Sequence, residues 1–239
     1  MVALTSKFLS SETCGDPWGA MIAASSGEIR RLASVWRYSS IPITVPENVA
    51  DHSFWVILYS AMIHLELQCQ STKSQGRKYG KQDVLLNILL KATTHDVGEA
   101  MTGDIVRPFK YSSSVLKEAI DRAERSMMNA LPASVNIFRH MCQSDDDEIN
   151  TYVNAVVKAA DFMSLYQFMR REVLRGNCEI RDFVGRMVKD LDEMSKCAVP
   201  SGMKYVPYPL EKLGAYYRRL ATAATKLHMM TRETRGEVI

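Results

Sequence analysis

Apolar positions along most of this chain recur with the period of an α-helix. Val49, His52, Val56, Tyr59 and Ile63 follow steps of 3, 4, 3 and 4 and share one helical face. Leu85, Ile88, Ala92 and His95 repeat the pattern, and Val153, Val157, Asp161 and Leu165 recur every four residues. Such spacing predicts helices over about 17–25, 28–37, 47–70, 82–95, 112–130, 133–142, 146–175, 179–196 and 208–230. The interruptions agree with it. Pro42 and Pro46 lie in a loop, and the polar stretch from Ser71 to Lys81 contains Gly76 and Gly80. Arg107 precedes Pro108 and so avoids the α region. Asp145 to Glu148 is an acidic run suited to a helix N-terminus, and Gly176-Asn177 is a helix stop. The prolines between Pro200 and Pro209 set a last helix apart. No segment requires a strand, so the expected fold is all-α.

Composition adds limits rather than detail. At 239 residues the chain is long enough to bury a core without covalent staples. Hydrophobic residues make up 46% and charged residues 24%, as in ordinary soluble domains. A net charge of +3 gives no ground for a nucleic-acid or membrane partner. Five cysteines, an odd number without a CxxC pair, argue against a disulfide framework and a zinc ribbon. No apolar run with a cleavage signal follows Lys7, and the apolar stretch from Phe54 to Leu65 is too short for a bilayer. A cytoplasmic protein is expected.

Candidate chemistry lies where polar residues occupy greasy faces. His52, His95 and Asp161 each sit on an apolar stripe, and Asp96 follows His95 directly. A buried carboxylate costs several kcal/mol unless a cation faces it. For one aspartate the ordinary answer is an ion pair, and for one histidine a hydrogen-bonded place in the core. Two histidines and two aspartates together suit a divalent ion. Mixed nitrogen and oxygen ligation favours a transition metal over Mg²⁺ or Ca²⁺.

The order His…His-Asp…Asp resembles the HD superfamily of phosphohydrolases. Four stretches sharpen the likeness: Arg37-Tyr38; Glu47-Asn48-Val49-Ala50-Asp51-His52-Ser53; His95-Asp96-Val97-Gly98-Glu99-Ala100-Met101-Thr102-Gly103-Asp104; and Lys158-Ala159-Ala160-Asp161. Together they are similar to the bacterial 5′-deoxynucleotidase group, over roughly residues 28–180. The resemblance implies an HD-domain helical bundle with additional N-terminal (1–27) and C-terminal (181–239) segments, and a homodimer.

It also implies one divalent ion, such as Co²⁺, Mn²⁺ or Zn²⁺, held by His52, His95, Asp96 and Asp161. Glu99 is implied as general acid/base, with Asp104 as second candidate for that role or for holding the attacking water. Arg37 corresponds to a phosphate-orienting arginine. Tyr38 stands where the family usually has a tryptophan that presses on the sugar. The substrate-contacting turn reads Asp104-Ile105-Val106-Arg107, with arginine where relatives carry threonine. Arg107 and Lys110 could reach further phosphates. The Glu47–Ser53 and His95–Asp104 stretches nevertheless favour a deoxynucleoside 5′-monophosphate as the substrate. The alternatives are release of tripolyphosphate from deoxynucleoside triphosphates and a non-catalytic nucleotide-binding module. His64, His140 and His228 are assigned no site role.

Overall fold

The computed structural model describes residues 29–69, 81–105, 110, 112–130, 147–197 and 211–233. The helices expected at 17–25 and 133–142, the loop from Ser71, the proline-rich stretch, His140 and Arg107 lie outside the described residues. Within them the helices are α1 (Val49–Cys69), α2 (Lys81–Thr94), α3 (Glu99–Thr102), α4 (Ser114–Ala130), α5 (Asp147–Leu174), α6 (Arg181–Cys197) and α7 (Glu211–Glu233). No strand occurs among the described residues. An isolated bridge pairs Trp36 with Asn48.

Helix α5 is the centre of the fold. Its 28 residues bury Tyr152, Val153, Val156, Phe162, Phe168 and Met169 on several sides of the helix. Ala159 and Ala160 are fully buried, and these small side chains let neighbouring helices approach closely. Helices α1 and α2 pack on one side of α5, and α6 and α7 lie against each other and against its other side. Ile88, Ala92, Val184, Leu191, Leu213 and Tyr217 join α5 in one continuous core. Each fully buried large aliphatic or aromatic side chain contributes about 1.5–3 kcal/mol.

The helix ends follow local chemistry. Asn48 Oδ1 accepts the Asp51 N–H at 2.8 Å, making Asn48 the N-cap of α1. Ser113 Oγ does the same for Leu116 at the start of α4. Helix α5 begins at Asp147, inside the acidic run, and ends before Gly176 at φ 83, a left-handed position suited to glycine.

One expected helix is corrected. The segment 28–37 is a 3-10 helix only over Ile29–Ser34. From Val35 the chain pairs back on the residues before α1, with the Arg37 N–H on Glu47 O at 2.9 Å and the Val49 N–H on Val35 O at 2.9 Å. Tyr38 then takes φ 60, uncommon for any residue but glycine. This turn directs the chain into a loop that reaches α5. There the buried Glu172 carboxylate accepts the amides of Thr44 (2.6 Å) and Val45 (3.2 Å), the Thr44 hydroxyl (2.9 Å) and the Asn177 side-chain amide (2.8 Å). The segment gains these tertiary bonds in place of helical ones.

Candidate active site

Three elements bring the candidate ligands together. His52 lies in the first turn of α1, and His95-Asp96 lie in the turn between α2 and α3. Asp161 lies in the middle of α5. His52 Nε2 is 3.4 Å from His95 Nε2, 3.5 Å from Asp96 Oδ2 and 3.4 Å from Asp161 Oδ1. His95 Nε2 is 3.1 Å from Asp96 Oδ2. One ligand atom each from His52, His95 and Asp96 lies within 4.8 Å of the others. Asp161 joins this trio through His52, while Lys158 Nζ holds its second oxygen at 2.8 Å. The ion-pair partner considered for a buried aspartate thus exists, one helical turn away, and still leaves Oδ1 facing His52.

The imidazoles are oriented for metal binding. His95 Nδ1 lies 2.7 Å from the Ala92 carbonyl, so in the neutral ring that nitrogen carries the hydrogen and Nε2 has the lone pair. His52 Nδ1 is 3.0 Å from Ser164 Oγ, which leaves its Nε2 toward the cluster in the same way. A donor set of two such nitrogens and two carboxylates fits a divalent transition ion.

Electrostatics keep both carboxylates ionised and His52 neutral, whereas the neighbouring carboxylates draw His95 toward protonation. Burial lowers the pKa of His52, and the Arg37 charge pushes the same way. Burial opposes the charge on His95, yet Asp96, Asp161 and the Ala92 carbonyl raise it overall. Burial alone would raise Asp96, but His95, Arg37 and His52 hold it below the usual carboxylate range. Asp161 is likewise penalised by burial and held well below its ordinary value by Lys158, His52 and Arg37.

The other predicted residues surround this cluster unequally. Arg37 Nη1 sits 3.3 Å from Asp96 Oδ2. Burial opposes its charge, but Tyr38, Asp96, Asp161 and Glu99 together raise its pKa, so the guanidinium stays protonated. Glu99 opens α3 close enough for Arg37 to feel its charge. Gly103, at φ 74, then turns the chain into Asp104, whose Oδ2 accepts the Tyr38 N–H at 3.0 Å. The Tyr38 ring is buried, stacked on Phe168 at 4.3 Å and edge-on to Phe183 at 5.8 Å. Its packing role is thus explicit. Lys110 Nζ lies 3.6 Å from Asp121 on α4, so the structure pairs it with a carboxylate.

Four supporting residues carried no role in the sequence reading. Lys158 braces Asp161, and Ser164 orients His52. Glu47 is buried 4.0 Å from His52 Nδ1, with Arg171 Nη2 at 3.6 Å on its other oxygen. Burial pushes the Glu47 carboxyl up to about 7, with Arg37 and Arg171 pulling it back and Asp51 adding to the rise. Glu172 anchors the loop after Tyr38. Position near the end of α5 was the available signal for Glu172, since a carboxylate there opposes the helix macrodipole.

This geometry agrees with the comparisons to known proteins. The profile of the 5′-deoxynucleotidase YfbR-like family matches residues 26–207. The chain belongs to that family. The match continues through α6, past the stretch on which the resemblance was read. Among relatives, the 5′-deoxynucleotidase YfbR of Salmonella typhi is 29% identical over 169 residues, covering 69% of this chain and 80% of that protein. A 5′-deoxynucleotidase of Photorhabdus laumondii is 25% identical over 185 residues, covering 75% and 89%. A solved HD-domain phosphohydrolase from Listeria innocua shares the fold with a TM-score of 0.56 and 23% identity, covering 88% of this chain and 96% of its own. Membership makes this YfbR-like chain a phosphohydrolase with a nucleotide substrate, and its His52, His95 and Asp96 form a possible metal site. Among its described residues no helix is long and apolar enough to cross a membrane.

Proposed function

We propose that the chain is a 5′-deoxynucleotidase that hydrolyses deoxynucleoside 5′-monophosphates to deoxynucleoside and phosphate, using one divalent ion held by His52, His95, Asp96 and Asp161. The reading is carried by one observation. A mostly buried guanidinium, Arg37, lies against Asp96 at the edge of the two-imidazole, two-carboxylate cluster. A bound divalent ion supplies Lewis acidity and hydroxide near neutral pH.

The protein's own groups supply the rest. Arg37 Nε is buried and donates to nothing among the described residues. A buried N–H without an acceptor costs roughly 1–3 kcal/mol, and a phosphate oxygen would satisfy it. Arg37 therefore binds the phosphate, and its contact with Asp96 fixes the phosphorus beside the ion site. Glu99 gives a proton to the leaving 5′-oxygen, a role worth about 10²–10⁴-fold in rate. Asp104 uses Oδ2 to hold the Tyr38 backbone, and Oδ1 remains for the substrate sugar or the attacking water. Tyr38 shapes the sugar side of the pocket from within its stack on Phe168. The family resemblance assigns Arg107 and Lys110 to phosphate contacts.

The ion is Co²⁺, Mn²⁺ or Zn²⁺ on the chemistry of its donors. The machinery lies within residues 28–180, flanked by an N-terminal segment (1–27) and a C-terminal segment (181–239) whose first part, to 207, falls within the family match. The chain works as a homodimer in the cytosol, a setting that the free thiols Cys69 and Cys178 suit. Assay of dAMP and dATP against a metal series tests the function. Phosphate from dAMP is expected, while tripolyphosphate from dATP would overturn the assignment. Lys110, one of the two cations that favoured a triphosphate, spends charge on Asp121.

A further inference from the structure

Helix α1 carries apolar residues on both of its faces. Val49, His52, Val56 and Leu67 face inward and are buried. Outward, Phe54 is 58% exposed, Trp55 40%, Leu58 40%, Met62 57% and Leu65 50%. Positions 54, 58, 62 and 65 follow steps of 4, 4 and 3 and share one face, with Trp55 beside them. A helix that is apolar all round belongs in an interior. Half of this one faces water. Between Val49 and Cys69 there is no lysine or arginine, so the helix lacks the basic residues that attach interfacial helices to anionic lipid.

We infer that this face is the contact through which two copies of the chain form a two-fold dimer, α1 against α1. This rests on the homodimeric reading above and adds the surface. Five large side chains exposed to this degree offer on the order of 500 Å² of apolar area. A standard interface buries about 800 Å² per partner, and in homodimers about 65% of it is apolar. The two areas agree. An exposed helix is a convex ridge, and a second helix supplies the matching groove. A two-fold axis near Leu58 lays Phe54 of one copy over Met62 of the partner subunit, a self-complementary contact. His52 lies on the opposite side of α1, so neither active site is covered.

The test is sedimentation velocity and light scattering on the full chain at micromolar concentration. Wild type is expected at twice 27.0 kDa. Leu58→Glu with Met62→Glu should give a single-chain mass with unchanged helicity by circular dichroism. Leu174→Glu, at an exposed apolar position on α5, should remain dimeric. If the double glutamate variant does not fold, the milder pair Phe54→Gln with Leu65→Gln should weaken dimerisation at least tenfold. Monomeric wild type overturns both assembly and surface, whether another part of this chain or nothing covers α1. Dimeric wild type with equally dimeric α1 variants overturns the surface alone. Phosphate release from dAMP is measured separately and reports on the nucleotidase reading.

Discussion

Asp104 Oδ2 accepts the Tyr38 backbone N–H across 3.0 Å, and Tyr38 adopts φ 60. The two residues are 66 positions apart. One begins the turn after α3, and the other follows the arginine that touches Asp96. A left-handed tyrosine costs of order 1–3 kcal/mol and persists where its surroundings over-determine it. Here the Phe168 stack, the Asp104 carboxylate and the Glu172 latch all act on it. The strain is local to the element that aims Arg37.

Asp104 should therefore be separable into two functions. Asp104→Ala removes the acceptor and should cost about 1.5–3 kcal/mol, as for a hydrogen bond to a charged group. In a chain of this size that lowers Tm by several degrees. Asp104→Asn keeps an oxygen for the Tyr38 N–H and should retain most of that stability. Any activity it loses then reports the other oxygen. Equal melting temperatures for wild type and Asp104→Ala would show that the bond does not hold the turn.

Arg37→Lys should raise KM for dAMP about 10- to 100-fold while leaving metal content unchanged. Lysine keeps the charge but loses the planar fork that can serve Asp96 and a phosphate together. The loss corresponds to one charge-assisted hydrogen bond of roughly 1.5–3 kcal/mol. Steady-state kinetics beside metal analysis checks it. Wild-type KM would remove Arg37 from phosphate binding.

Metal binding and proton transfer should separate at Asp161 and Glu99. Asp161→Ala removes a proposed ligand and should weaken metal uptake by more than the roughly 10- to 100-fold typical of losing an outer-shell partner. Elemental analysis after dialysis measures this. Glu99→Gln should keep the metal and lose about 10²–10⁴-fold in kcat. Full metal occupancy in Asp161→Ala would break the ligand set, and wild-type turnover in Glu99→Gln would break the acid/base assignment.

The residues that were legible in the sequence are those whose environment is set by their own helix. His52 and Asp161 stand on apolar stripes that repeat every three or four residues, so their inward direction followed from periodicity. Helices α1, α2 and α5 fell within two residues of their expected ends for the same reason. His95-Asp96 fall in a turn just beyond α2, and motif order rather than periodicity carried Asp96. The segment 28–37 was misread because Arg30, Leu32 and Val35 look helical locally, while the competing bonds lie far along the chain. Glu47 O accepts the Arg37 N–H and Val35 O the Val49 N–H across the bridge, and Glu172 reaches Thr44 over 128 positions. Lys158 and Ser164 matter through single partners that periodicity does not name. Tyr38 shows the same limit, since its ring position depends on Phe168 and Phe183 from two other helices.

Glu172 gives the sharpest pH prediction. It is fully buried and faces the donors of Thr44, Val45 and Asn177. Burial alone would raise its pKa. The Thr44 amide, Asn177, the Thr44 hydroxyl and the Val45 amide outweigh that and hold the carboxyl below its ordinary value. A depressed folded pKa stabilises the fold above the unfolded value of about 4.3, and the benefit is lost as pH falls through the folded pKa. Glu172→Gln turns an acceptor into a donor amid donors and should cost about 3 kcal/mol at pH 7. That is a Tm drop of roughly 6–12 °C. The gap between wild type and variant should stay constant above the unfolded value of about 4.3 and close as pH falls through the depressed folded pKa, where wild type also becomes neutral. Thermal denaturation of both proteins across this range provides the check. A gap that persists unchanged at pH 3, or none at pH 7, would show that the Glu172 charge does not hold the loop that follows Tyr38.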